Sequence, residues 1–193
     1  MNLVKTVACL ALVAGAPVAC MAQAIDFTVD GDALPGQTIT ISMTAGYGGT
    51  DYAVAGIATS VLINEAQGTF SNARLLAPMN GPGTVPGVIG AGSIDGIIAG
   101  QLNFPTAGIF ADPTNPIGFW AVDFTVDGSL SGPTILDIES MTSKYDVYLE
   151  RTRATSQSRL AELDEGALQI VIPAPAGGLA LLGGLAMVAR RRR

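Results

Sequence analysis

Apolar and polar residues alternate with a period of two along much of the chain. Isoleucine and methionine alternate with threonine and serine over residues 38–43, and the same period recurs over residues 57–63, 145–149 and 168–172. Such a period places the apolar side chains on one face of a β-strand. Glycine, proline, asparagine and aspartate separate these short segments, as they do at tight turns. The pattern predicts an all-β fold, a two-sheet antiparallel sandwich.

Two segments depart from this pattern. Residues 155–165 have the composition of a helix but no clear apolar stripe, so we expect an exposed, charged loop or one short helix. Residues 81–100 are rich in glycine, and Asp95 stands where a dinucleotide-binding fingerprint needs its third glycine. We interpret this second segment as a loop.

The hexapeptide DFTVDG occurs twice, at residues 26–31 and 123–128. In each copy apolar residues alternate with aspartate and threonine before an Asp-Gly turn, which predicts a half-buried strand that opens a hairpin. We interpret the repeat as one hairpin solution used twice, because residues 52–76 have no clear counterpart after Met141. The side chains expected in the core are Phe27, Val29, Val122, Phe124 and Val126. Those expected to face solvent or loops are Asp26, Thr28, Asp123 and Thr125.

The aromatic residues divide into two groups. Trp120 is in phase with Val122 and Phe124, so we expect it in the core rather than on a sugar-stacking surface. Tyr47 and Tyr52 lie in a glycine-rich turn and are the better candidates for exposed aromatic side chains.

The N-terminal segment has the features of a cleaved signal peptide. A short apolar run over residues 7–18 follows Lys5, and Ala22 and Ala24 form the small-x-small pattern that signal peptidase reads. The run is shorter than the roughly 20 residues that a membrane-spanning helix needs. We therefore assign residues 1–24 to a signal peptide and expect the mature chain to begin at Ile25.

Both cysteines of the chain lie in this segment. Cleavage after Ala24 removes Cys9 and Cys20, so the mature protein would use neither disulfides nor thiolate chemistry. Two alternatives stay open: the segment is a buried N-terminal helix, or Cys20 is lipidated, although no leucine stands three residues before it.

The C-terminal segment, residues 173–193, reads as a membrane tail. Pro173, Ala174 and Pro175 precede an apolar run over residues 176–189. Extended by the flanking residues 170–175, this run is only just long enough to cross a thin or locally compressed bilayer. The chain ends on a basic cluster, Arg190, Arg191, Arg192 and Arg193. The positive-inside rule keeps these arginines cytoplasmic, which leaves the body, residues 25–172, on the far side of the membrane. The alternative is an apolar C-terminal helix packed in the core.

The tail resembles the PEP-CTERM class of bacterial sorting signals. The resemblance rests on the Pro173-Ala174-Pro175 motif, the apolar run and the terminal arginines, with Ala174 where the class usually has glutamate. It implies recognition by an exosortase-type membrane transpeptidase, which cuts near the motif and passes the protein to the cell envelope or matrix. The C-terminal helix would then anchor the exported protein in the inner membrane only transiently.

The charge of the body restricts the class of partner. Its five basic residues stand against all sixteen acidic residues of the chain. So acidic a body argues against nucleic acid and anionic membrane surfaces as partners. It fits a secreted protein that charge repulsion keeps soluble, or one that gathers cations.

The residues that catalysis needs are mostly missing. The chain has no histidine, which excludes Ser-His-Asp and Cys-His systems and the usual zinc sites. Lys144 is the one lysine of the body, and no serine lies three residues before it, as Ser-Lys catalysis requires. Paired carboxylates for glycoside hydrolysis stay possible, but the surroundings mark out no pair. We therefore expect a protein that is not an enzyme.

A calcium site is the best small-ion candidate. Asp30 and Asp32 flank a glycine, and Asp26 lies on the same strand face. Calcium favours several carboxylate and carbonyl oxygens on a loop. The alternative is an ordinary Asp-Gly turn, since the third acidic ligand and the distal glutamate of a helix-loop-helix site are absent.

The body is similar to exported bacterial sandwich domains of the cohesin-like, carbohydrate-binding-like type. The likeness rests on the strand patterns of residues 38–43, 57–63, 118–126 and 142–148 and on no diagnostic motif. It implies a jelly-roll or immunoglobulin-like sandwich of about nine strands.

Two functions stay open for this body. The first is a non-catalytic envelope or extracellular-matrix component with a structural or adhesive role. The second is a recognition module that binds a polysaccharide or a partner protein through a sheet face or loops. Exposed aromatics on a flat face would favour sugar binding, and a Thr/Asp/Ser exterior would favour the structural role.

Overall fold

Strands make up most of the body. The computed structural model describes residues 23–63, 68–130 and 133–173. Within them the strands are β1 (Gln23–Asp30), β2 (Thr38–Gly46), β3 (Ala53–Ile63), β4 (Gly68–Leu75), β5 (Val85–Ile89), β6 (Ser93–Gly100), β7 (Ile117–Val126), β8 (Thr134–Tyr148), β9 (Ser156–Ser158), β10 (Leu163–Asp164) and β11 (Ala167–Ile172). Two single 3-10 turns, Pro105–Ala107 and Leu160–Glu162, complete the regular structure of these residues.

The strands form two sheets. Sheet A has the order β10-β1-β2-β7-β4, and sheet B has the order β11-β8-β3-β6-β5, with β9 beside β8. Neighbouring strands are antiparallel except for β1 and β10, which pair in parallel over two residues. The predicted all-β sandwich is confirmed. The expected nine strands are eleven, because β9 and β10 are too short to leave a periodic pattern in the sequence.

The main core lies between the two sheets, and a second, small cluster joins Ala53, Ala55, Ala111 and Tyr148. The largest fully buried side chains include Trp120, Tyr145, Phe119 and Phe124, packed among aliphatic residues from β2, β3, β6 and β8. The prediction that Trp120 lies in the core is confirmed. Its indole N–H donates to the carbonyl of Pro86, 2.8 Å away, so the edge strand β5 is tied to β7 across the sandwich.

The burial pattern of the two DFTVDG copies is largely as expected. Val122, Phe124 and Val126 are buried, and Phe27 is half-buried against the core. The expectation for Val29 is wrong, because 37% of this residue is exposed. β10 pairs only with the first two residues of β1, so the later half of β1 is an open sheet edge.

The two copies play different topological roles. The first lies on β1, which forms a hairpin with β2. The second lies at the end of β7 in sheet A, and the chain then crosses to β8 in sheet B, so the second predicted hairpin is wrong. Both copies flank β2, and Thr40 lies opposite Asp30 on one side and Asp123 on the other. The two copies of DFTVDG therefore lie on the two strands that pair with β2.

The glycine-rich segment over residues 81–100 is not a loop. It contains β5 and β6, which pair with each other, and it buries Ile94, Ile97 and Ala99. Gly87 has a φ of 88°, and a Cβ there would lie 2.7 Å from the side chain of Ile97. The glycines therefore serve bends and close approaches within a hairpin rather than an irregular loop.

The segment over residues 155–165 is exposed, as expected, and only a 3-10 turn in it is helical. Its first part pairs with β8 as β9, and its last part pairs with β1 as β10. The chain therefore crosses from sheet B to sheet A here.

The expected terminal segments lie almost wholly outside the described residues. The structure does not describe residues 1–22 and 174–193. The predicted signal helix with Ala22, and Ala174, Pro175, the predicted membrane helix and the four arginines, therefore lie outside the described residues. In the part of the chain that the structure describes, no helix is long and apolar enough to cross a membrane. β1 begins at Gln23, two residues before the expected mature N-terminus.

Candidate functional site

The predicted calcium ligands are not assembled into a metal site. Asp26 lies opposite Thr44 and Asp30 opposite Thr40, so the two carboxylates are four residues apart on one extended strand. At about 3.3 Å per residue this separation is about 13 Å, too far for one ion. No group of three or more carboxylate, histidine or cysteine residues that could hold a metal occurs in the described ranges. Calcium binding by Asp26, Asp30 and Asp32 stays a prediction that this arrangement does not support.

The outer face of sheet A is polar and internally hydrogen-bonded. The hydroxyls of Thr38 and Thr125 lie 2.8 Å apart, and the hydroxyl of Thr40 donates to Asp123 over 3.1 Å. The same carboxylate accepts from Asn72 at 2.7 Å and from Arg74 at 2.8 Å.

These donors fix the charge of the Asp123 side chain. The hydrogen bonds from Asn72 and Arg74 hold the pKa of Asp123 below its usual range, so the carboxylate is ionised at neutral pH. Because the groups of this network already satisfy one another, they offer few free donors or acceptors to a ligand.

The outer face of sheet B is chemically different. It exposes large aliphatic side chains from all five strands of the sheet's main order. We call this set the aliphatic face, and it consists of Leu62, Val85, Ile98, Ile135, Met141 and Val171. Met141 is 58% exposed and Val171 is 63% exposed. Cross-strand register places Val85 beside Ile98 and Ile135 beside Val171.

Acidic side chains accompany the aliphatic face. Asp137 and Glu139 alternate with the buried Leu136 and Ile138 on β8, so they point to the same side as Ile135. Asp95 follows the buried Ile94 on β6. The face therefore combines exposed aliphatic groups with carboxylates.

A cation on this face is paired with a neighbouring carboxylate. Lys144 forms an ion pair with Asp146 at 2.8 Å. The hydrogen bond and the charge of Asp146 raise the pKa of Lys144.

A clamp of buried amides holds the connection between β6 and β7. The amide group of Gln101 donates to the carbonyl of Val54 at 2.6 Å, and its oxygen accepts from the N–H of Asp112 at 2.8 Å. The amide group of Asn103 donates to the carbonyls of Arg151 and Arg153, and its oxygen accepts from the N–H of Ala111.

Tyrosine hydroxyls complete this clamp. Tyr52 donates to the carbonyl of Ala111 at 2.8 Å, Tyr47 donates to the carbonyl of Pro113, and Tyr148 donates to the carbonyl of Gln101. The expectation that Tyr47 would be exposed is wrong, since it is buried, and Tyr52 is half-buried. Both rings turn inward because their hydroxyls find carbonyl acceptors in the β6–β7 connection.

The clamped connection presents four large apolar side chains to solvent. We call these the apolar tip, and they are Leu102, Phe104, Ile109 and Phe110. Phe104, 54% exposed, and Ile109 face each other in a two-residue antiparallel bridge around the 3-10 turn. The guanidinium of Arg151 lies 4.2 Å from the centre of the Phe110 ring, a cation–π contact. Leu102, Ile109 and Phe110 line a hollow of about 290 Å³, together with Pro78, Gly81, Gln101 and Asp112.

The aliphatic face and the apolar tip were not predicted from the sequence. A signal for the face was present, since the runs Ile97-Ile98, Ile135-Leu136 and Ile170-Val171-Ile172 place apolar residues at consecutive positions. Consecutive apolar residues in a strand put a hydrophobic side chain on both faces. A polar exterior therefore holds for sheet A alone, and there it includes Asn72 and Arg74 beside threonine and aspartate.

Comparison with known proteins gives a likeness of fold. No family model matches the chain, and no curated protein matches it. The sixth cohesin from scaffoldin B of Acetivibrio cellulolyticus, solved in complex with a Cel5 dockerin, is 14% identical, with a TM-score of 0.50 over 77% of this chain and 97% of that chain. The cohesin CaCohA2 from Clostridium acetobutylicum is 13% identical, with a TM-score of 0.47 over 80% of this chain and 93% of that chain. The body thus has a cohesin-like β-sandwich fold.

Proposed function

We propose that this protein is a non-catalytic recognition module that binds a protein partner on the aliphatic face. The observation that carries the proposal is the contrast between the two outer faces. The outer face of sheet A carries hydrogen-bonded threonine, aspartate and asparagine, whereas the outer face of sheet B exposes Ile98, Met141 and Val171. An exposed apolar patch bordered by polar groups is typical of a protein-binding surface.

The face also sets the chemistry of the partner. Asp95 and Glu139 lie among the aliphatic side chains, and the cation of Lys144 is paired with Asp146. A partner that offers an apolar stripe flanked by lysine or arginine would complement this surface. The cohesin from scaffoldin B is solved with a dockerin bound, which supports a protein rather than a sugar as the class of partner for a cohesin-like sandwich.

Export and sorting complete the proposal. From the sequence of residues 1–24 and 173–193 we expect export to the cell envelope or extracellular space by an exosortase-type route. A structural or adhesive role in the matrix is compatible with such a module, because partner binding by an envelope protein is a form of adhesion. Among the described residues no flat sheet face carries a cluster of exposed aromatics, so a polysaccharide is the less supported ligand.

Site-specific photo-crosslinking tests the proposal in the producing cells. The photo-reactive amino acid p-benzoylphenylalanine replaces Ile98 on the aliphatic face or, as a matched control, Thr28 on the outer face of sheet A. We expect irradiation to give one discrete protein adduct from position 98 and none from position 28. Adducts of equal yield from both positions, or none from position 98, would overturn the proposal.

A binding measurement then confirms that the adduct reports direct recognition. The crosslinked protein is purified and titrated against wild type, Met141→Asp and Thr28→Asp by calorimetry. We expect saturable one-to-one binding that Met141→Asp weakens at least about tenfold, because a carboxylate would be desolvated in the interface. Thr28→Asp should bind like wild type. If both variants bind like wild type, the partner does not use the aliphatic face.

A further inference from the structure

The apolar tip follows the aliphatic face along the chain, directly after β6. On β6 the side chain of Ile98 points outward between the buried Ile97 and Ala99. The same alternation runs past the end of the strand, where Gln101 and Asn103 are buried and Leu102 and Phe104 are exposed. Leu102 and Phe104 are therefore exposed next to the end of the strand that carries Ile98.

The tip cannot relieve its exposure by turning inward. The side chains of Gln101 and Asn103 bind the loop to neighbouring backbone carbonyls. The hydroxyls of Tyr52 and Tyr148 donate to carbonyls of the loop itself. To rotate Leu102 or Phe104 into the protein, the loop would have to break these buried hydrogen bonds. The apolar side chains are therefore fixed in solvent, as in an interface that is preorganised for its partner.

We propose that the protein partner of the aliphatic face reaches over the apolar tip and inserts one large apolar side chain into the hollow between Leu102, Ile109 and Phe110. This inference rests on the proposed function. The hollow of about 290 Å³ has the scale of one large side chain rather than of a whole ligand. A buried apolar anchor in a pocket is the usual centre of a protein interface.

Arg151 specifies the charge that the partner should present beside this anchor. Its guanidinium stacks on Phe110, and within the described ranges it makes no ion pair. Arg153, two residues on, is paired with Glu150 at 3.7 Å. A carboxylate of the partner beside Phe110, on the side away from Asp112, would therefore complement Arg151, while basic groups further along the partner would meet the carboxylates of sheet B.

The position of the tip argues for a protein and against the surface to which the tail would be attached. Ile172 pairs with Thr134 at the start of β8, whereas Asn103, in the loop that carries the tip, contacts residues 150–153, just after the end of β8. β8 has 15 residues, so the tip and Ile172 lie about 45 Å apart at about 3.3 Å per residue. The chain after Ile172 thus leaves from the end of the sandwich that is remote from the tip.

Photo-crosslinking at the tip tests this inference beside the test at position 98. With p-benzoylphenylalanine in place of Phe104, we expect an adduct of the same mass and partner as from position 98. Leu102→Asp should lower the yield of the position-98 adduct about tenfold, whereas Thr106→Asp, on the exposed 3-10 turn of the same loop, should leave it unchanged. Thermal unfolding of both variants verifies that they are folded, since both side chains are exposed.

A charge reversal adds a second, independent readout. Arg151→Glu should lower the yield of the position-98 adduct severalfold more than Arg153→Glu, which makes the same charge change at a neighbouring exposed site. Equal effects of the two reversals would overturn the anchor arrangement.

The outcomes separate this inference from the proposed function. A position-98 adduct that survives Leu102→Asp, with no adduct from position 104, overturns the inference and leaves the proposed function standing. A different protein at position 104 also overturns it. No adduct from either position overturns both. A membrane is the remaining alternative occupant of the tip. If the purified protein floats with phosphatidylcholine–phosphatidylglycerol vesicles and the Phe104→Asp variant does not, the tip binds membrane and the inference is overturned.

Discussion

Asp51 and Arg159 form an ion pair across one end of the sandwich, with 3.3 Å between carboxylate and guanidinium. The Asp51 side chain is only 1% exposed, and the Gln23 side chain also donates to it. Asp51 lies in the turn between β2 and β3, and Arg159 lies in the connection from β9 to β10. The pair thus fastens the chain where it crosses from sheet B to sheet A, beside the loop that carries the apolar tip.

Removal of Arg159 should destabilise the fold markedly. Arg159→Ala leaves the buried Asp51 carboxylate without its cation, and we expect a loss of about 3 kcal/mol in the free energy of unfolding. Arg153→Ala removes an arginine from an exposed pair with Glu150 and should cost less than about 1 kcal/mol. Urea denaturation of the two variants measures both values. Similar losses in the two variants would show that the Asp51–Arg159 pair is not structural.

The polar network on sheet A predicts a pH-dependent contribution to stability. The pKa of Asp123 is lowered in the folded state, chiefly by the hydrogen bonds from Asn72 and Arg74. A group with a depressed folded pKa contributes stability above its unfolded pKa of about 3.9 and loses it as the pH falls through the folded value.

The variant Asp123→Asn isolates this effect. Wild type should be more stable than the variant by about 1 kcal/mol at pH 7, and the difference should shrink progressively below about pH 4. Asp26→Asn, on the exposed part of β1, is the control. Thermal unfolding from pH 2.5 to pH 7 gives the profile. A difference between wild type and Asp123→Asn that does not change with pH would contradict the prediction.

The sequence determined the strands far better than their partners. Alternation at residues 38–43 and 122–126 predicts which side chains of these parts of β2 and β7 are buried, because a pleated strand has only two faces. It does not say which strand lies beside which, and so β8 was wrongly paired with β7 when β8 belongs to the other sheet. Local Asp-Gly turn chemistry is the same whether the chain returns to its own sheet or crosses to the opposite one.

The candidate site was harder to predict for a related reason. Leu102 and Phe104 are large and apolar, as core residues usually are. They are exposed because the residues that precede each of them, Gln101 and Asn103, are buried. Tyr47 and Tyr52 lie about 60 residues before the carbonyls to which they donate. Such long-range hydrogen bonds leave no periodic signal in the sequence.

The body should fold without the C-terminal tail. Ile172 is fully buried and is the last residue of β11, whereas Pro173 follows the strand and is half-buried. Deletion of residues 174–193 should therefore leave the free energy of unfolding within about 0.5 kcal/mol of the full chain. Deletion of residues 170–193 also removes the buried Ile170 and Ile172 and should unfold the protein or cost at least about 4 kcal/mol. Circular dichroism with urea titration distinguishes these results, and unfolding by the shorter deletion would place the tail in the core.

The position of signal cleavage should affect the stability of the folded body, because β1 begins before the predicted cleavage site. Cleavage after Ala24, as the sequence predicts, removes Gln23, which is buried, pairs with Leu163 and donates to Asp51 at 3.1 Å. The same cut removes Ala24 from its pairing with Asp164 and Gly46. A recombinant chain that begins at Gln23 should therefore be about 1–2 kcal/mol more stable than one that begins at Ile25, because it keeps the β1–β10 pair and the bond to the buried carboxylate.

Urea denaturation of the two chains measures the difference, and a Gln23→Ala variant of the longer chain separates the side-chain bond from the backbone pairing. Intact-mass analysis of the protein from its own envelope then reports which N-terminus the cell makes; equal stability of the two chains would show that the first two residues of β1 contribute nothing to the fold.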